Sequence, residues 1–139
     1  MRTIKKNKGI ATLPTVIVIG IMALAVVVSI TSIALNELIM SQGQAASGTA
    51  LFYSEAGARD ALIKIARNKK YTCSVAANCH VNFNTTDYSE VLVTTNVDDT
   101  VKTITSKGII KSISRSVQVI ANLDTTGKIT STTWSELTN

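Results

Sequence analysis

The chain offers little reactive chemistry: one histidine, two cysteines, one proline and 4% aromatics in 139 residues. With His80 alone, no Ser-His-Asp or Cys-His arrangement can be drawn. A metal site would enlist Cys73, Cys79 and His80, but Cys79 and His80 are adjacent and no fourth ligand is spaced to join them. Gly108 and Gly127 read as turn glycines rather than a phosphate loop. Asp98 and Asp99 read as a turn rather than a pair of catalytic carboxylates. No enzyme and no cofactor are expected.

The acidic side of the balance is thin too, with 14 basic residues against 9 acidic. The excess is local, because Arg2, Lys5, Lys6 and Lys8 supply four of the positive charges. The basic pI therefore describes a leader and is poor grounds for a nucleic-acid partner.

Charge then vanishes altogether. Residues 10–36 hold none, and Glu37 is the first to restore it. About 20 apolar residues span a bilayer as helix, whereas a secretory signal has an apolar core of roughly 7 to 15. The segment is too long for a cleaved secretory signal, even though "SIA" at residues 32–34 imitates a cleavage site. The cationic start should remain cytoplasmic, which puts Glu37 and all that follows outside. Isoleucine and valine fill the segment, yet lipid forces the backbone to satisfy itself, so a helix is expected.

No linker follows. From Thr49 the pattern is an amphipathic helix whose apolar side would carry Leu51, Ala58, Leu62 and Ile65, with Ala61 beside them. Glu55 with Arg59 and Asp60 with Lys64 are i,i+4 pairs with the acid first. Gly43, Gly48 and Gly57 each cost about 1 kcal/mol relative to alanine, which marks residues 42–48 as the soft point. Lys64, Arg67, Lys69 and Lys70 gather where the helix should end and suit its negative dipole end. They also invite an anionic partner such as DNA, but with Tyr71 as the one aromatic neighbour, capping and solvation is the preferred reading.

After Tyr71 the period changes to two. "EVLVTTNV" (residues 90–97), "TVKTITS" (100–106), "RSVQVIANL" (115–123) and "KITSTTW" (128–134) read as four strands of an antiparallel meander, with "HVNF" (80–83) as a fifth. "DD", "KG" and "DTTG" supply the turns. Val117, Val119, Ala121 and Leu123 should share one face, and Ile120 breaks the alternation. So small a sheet needs cover, which the helix would supply, giving an α+β fold of helix on sheet. Cys73 and Cys79, close together in an exported region, should form a disulfide. "NTT" at Asn84 fits a glycosylation acceptor.

A cationic leader ending in "KG" at Lys8 and Gly9, an uncharged helix from Ile10, the stretch "ALFYSEAGARDALIKI" (50–65) and the strand pair "ITSKGIIKSISRSVQV" (104–119) together resemble a type IV prepilin. PilX-type minor pilins are the nearest in pattern. The resemblance implies four regions: a leader (1–9), a membrane and filament-core helix (10–36), an amphipathic helix (37–70) and an exported sheet domain (71–139). It implies cleavage between Gly9 and Ile10 by a prepilin peptidase, methylation of the new N-terminus, and assembly with other pilin subunits by inner-membrane machinery. Membrane lipid would hold the helix before assembly, and the product would be a cell-surface filament. Major pilins carry a glutamate at the fifth mature position, where this chain has Pro14. Proline is tolerated in a first helical turn, so Pro14 is expected to start the helix and leave Ile10 to Leu13 extended for the peptidase. The alternative is a single-pass anchored binding domain that keeps its leader and never polymerises.

Overall fold

The computed structural model describes residues 12–74 and 79–138. Gly9 and Ile10, the expected processing site, lie outside them. One helix, α1 (Thr12–Arg67), precedes five strands: β1 (His80–Asn82), β2 (Tyr88–Thr95), β3 (Val101–Ile110), β4 (Ile113–Leu123) and β5 (Ile129–Leu137). The chain divides after Gln42 into two compact units. The class is α+β and pilin-like: an apolar N-terminal helix continues into a segment that packs on an antiparallel sheet.

The first unit holds the apolar part of α1. Its large side chains are exposed throughout, from Leu13 to Met40. Among the described residues it is the one helix long and apolar enough to cross a membrane. Gly43 and Gly48 do not break α1. Helix growth is cooperative, and two isolated glycines at about 1 kcal/mol each do not stop a helix flanked by leucine, methionine, glutamine and alanine.

In the second unit the strands lie in sequence order, each antiparallel to the next, with β1 and β5 at the edges. The meander and its fifth strand are as expected. Alternation sends Val91 and Val93 of β2, Ile104 of β3, and Val117, Val119 and Ala121 of β4 to the helix side, where all are buried. Ala58, Ala61 and Ile65 of α1 complete this core. Ile65, Ile104 and Val119 are fully buried, and each such side chain contributes about 1.5–3 kcal/mol relative to exposure. Ile120 points to the other face and is 37% exposed, opposite Thr103 and Thr133.

One expectation about glycine and turns fails here. Gly108 is not a turn residue: it sits inside β3, opposite Arg115. The β3–β4 turn comes later, at Lys111 and Ser112, closed by the Ile110–Ile113 pair, with Lys111 at φ 53°. A Lys-Gly pair looks like a turn in sequence, but a glycine in a strand also marks a place where another backbone comes close. Gly127 is a turn glycine, at φ 91°.

Candidate functional site

The seat of the helix on the sheet is built from small residues. The buried line of α1 runs through Ala50, Ser54, Gly57, Ala58, Ala61 and Ile65. Leu51 and Leu62, expected in the buried stripe, are half-buried at its flank. The reason is distance. A Cβ on Gly57 would lie 2.6 Å from Ser106 Oγ and closer still to Ser89 Oγ. A Cβ on Gly108 would collide with the Ala50 carbonyl oxygen and lie 2.7 Å from the Ser54 nitrogen. Leucines do not fit under a helix held so near, so they sit to one side. Ser54 Oγ donates to Leu51 O at 2.7 Å. The buried hydroxyls of Ser89 and Ser106 have no hydrogen-bond partner among the described residues.

Pro14 lies inside α1 rather than at its start, and Leu13 is helical rather than extended. Further along, Ser29 Oγ donates to Ala25 O at 2.8 Å and Thr31 Oγ1 to Val27 O at 2.9 Å. These hydroxyls are satisfied by their own helix, as an apolar surrounding requires.

Cys73 and Cys79 are joined, with Cα atoms 6.1 Å apart. Cys73 exchanges backbone hydrogen bonds with Val93, at 3.1 and 2.8 Å, and Val91 N–H donates to Cys79 O at 2.9 Å. The disulfide thus joins two points, Cys73 and Cys79, that are each hydrogen-bonded to β2. The next residue, His80, packs against Tyr88 with the rings tilted and their centres 5.1 Å apart. Among the described residues no group of three or more histidine, cysteine or acidic side chains could hold a metal.

Much of the basic cluster at the end of α1 is engaged. Lys64 pairs with Asp60 at 2.7 Å, and this bond raises its pKa. Lys69 Nζ donates to Thr125 O at 3.2 Å, tying the helix end to the β4–β5 turn. Asn84 organises its own loop: its Oδ1 accepts from the N–H groups of Thr86 and Asp87, at 2.8 and 2.7 Å. Its Nδ2 donates to Asp87 Oδ2 at 2.6 Å, so the amide that a glycan would take is occupied.

Sequence reasoning missed Lys102. Its side chain is fully buried and its Nζ donates to Asp99 Oδ1 at 2.8 Å. The signal was present, since Lys102 is in phase with Ile104 and therefore on the inward face. Asp98 and Asp99 do lie in a turn, and Asp99 adopts φ 54°. The bond from Lys102, then that from Thr95, holds the Asp99 carboxyl below the usual range.

No family model, curated protein or solved structure matches this chain.

Proposed function

We propose that this chain is a structural subunit, a minor pilin or pilin-like protein, of a type IV pilus or a related secretion or DNA-uptake filament. The observation that carries the reading is the composition of α1. A helix apolar enough for lipid runs on without a linker into the segment that seats a sheet. An anchor of that kind supplies two environments with one element: lipid before assembly, and a bundle of like helices afterwards. Both exclude water, so the same side chains serve both.

Processing would occur between Gly9 and Ile10, on a prepilin peptidase, where a small residue lets the enzyme approach the backbone closely. The remaining partners in this reading are other pilin subunits and the inner-membrane assembly machinery. DNA is the weakest of them, because Lys64 and Lys69 already have partners within the chain.

The test is the N-terminal residue of the native protein, read by mass spectrometry. A methylated Ile10 start supports the reading, and Gly9→Val should then leave a species heavier by roughly 1 kDa in the membrane. Native protein that keeps Met1 would replace the filament reading with that of an anchored domain that does not polymerise.

A further inference from the structure

The two edges of the sheet are unequal. β1 offers three residues, while β5 offers nine with exposed side chains along nearly all its length. A long edge strand is a template for another strand unless lysine, proline, a bulge or a covering segment blunts it. The sequence of β5, "ITSTTWSEL", contains no lysine, proline or glycine, and its one charge, Glu136, is paired with Arg115 of β4. The bulge in its pairing lies at the far end, near Leu123 and Ile129.

Which backbone groups are free follows from the ladder. Leu123 donates its N–H to Thr100 O, so it faces β3. Alternate residues of an antiparallel strand turn to opposite neighbours, so Asn122, Ile120 and Gln118 face β5. Their partners Ser131, Thr133 and Ser135 therefore face back to β4. Thr132, Trp134 and Glu136 turn their N–H and C=O groups to the open edge.

We infer that this edge pairs antiparallel with β5 of a second copy, making a continuous ten-stranded sheet about a two-fold axis near Thr132 and Thr133. Charge selects the direction and the occupant. Lys128 precedes β5, and Glu136, which pairs with Arg115 of its own β4, lies near its end; antiparallel self-pairing therefore keeps the two lysine ends apart and sets each beside the other copy's Arg115–Glu136 pair. Parallel pairing would set like against like. Beside the axis, Trp134 meets the β-branched threonines of the partner strand, a favourable cross-strand combination. An isologous contact of this kind closes at two copies. The pairing does not depend on the filament reading, since it uses only the second unit.

The test uses the full chain in detergent micelles, followed by sedimentation equilibrium across a concentration series. A reversible monomer–dimer equilibrium is expected. Thr132→Cys should form a disulfide-linked dimer on mild oxidation, because opposed residues near the axis have Cα atoms within disulfide reach. Thr132→Pro removes an N–H directed to the open edge and leaves the β4 ladder whole, so it should weaken the dimer at least about tenfold. Lys128→Glu, which sets acid against acid, should weaken it too without lowering the melting temperature. A chain that stays monomeric overturns the inference. So does a dimer that survives Thr132→Pro and gives no cross-link through residue 132, since α1 would then be holding it. Open-ended aggregates in place of a dimer, or cross-links formed with another protein alone, would equally refute it.

Discussion

Gly108 of β3 lies directly against the main chain of Ala50, where a Cβ would strike the carbonyl oxygen and sit 2.7 Å from the Ser54 nitrogen. Gly108→Ala should lower stability by about 1–3 kcal/mol, the usual effect of overpacking. Gly57→Ala should cost less, because its two nearest neighbours are serine hydroxyls that can rotate, with Ser89 Cβ next at 3.0 Å, and because alanine favours the helix. Ser106→Ala should raise stability, since it deletes a buried hydroxyl left without a partner. Thermal melts by circular dichroism order the three, and a Gly108 variant as stable as wild type would contradict so close a seat.

Breaking the disulfide tests how far it holds Cys73 and Cys79 against β2. Cys73→Ser with Cys79→Ser should cost about 2 kcal/mol by the loop-entropy account. Denaturant titration measures it. Because Cys73 also bridges to Val93 through the backbone, the fold should survive, with the loss appearing in hydrogen exchange at Val91 and Val93.

Acid should loosen two turns together. Thr126 Oγ1 and the N–H groups of Lys128 and Thr126 bond the Asp124 carboxylate, at 2.6, 2.9 and 2.8 Å, and hold its pKa down. Asp99 is held down by Lys102. A carboxyl whose folded pKa is depressed contributes stability that is present above its unfolded pKa, near 3.9, and is lost as pH falls through the folded value. Stability should be flat from neutral to about pH 5 and fall below about pH 4. Asp99→Asn should remove part of this dependence and destabilise at neutral pH as well, by leaving Lys102 buried without its counter-charge. Melting temperature against pH for the two proteins checks both statements.

Pro14 bears on where the subunit would stand in a filament. An N-terminal amine entering a dry helical bundle is costly unless an acid meets it, and this chain has no carboxylate before Glu37. Self-repetition along a shaft should therefore be poor, and the tip is the place where the missing contact matters least. A gold label after Asn139, viewed by electron microscopy, should mark filament ends. Regular labelling along the shaft would overturn this placement.

The period of apolar residues, three to four before Tyr71 and two after it, was enough to predict helix, meander and their union as α+β, because those periods are properties of the local backbone. The charge-free run was enough to predict a helix fit for lipid. Spacing also brought Cys73 and Cys79 together, since few residues lie between them. The depth of contact was not legible. Leu51 and Leu62 are bulky and in phase with the apolar stripe, yet Gly57 and Gly108 set how near the two layers come, and that closeness admits Ala50, Ser54 and Ala58 instead. A lysine's hydrophilicity likewise argues for the surface, while its position in phase with Ile104 puts Lys102 inside, where Asp99 meets it across a turn. Local pattern chooses the face of an element; the distance between two faces, and the partner a buried charge finds there, exist only once both elements are in place.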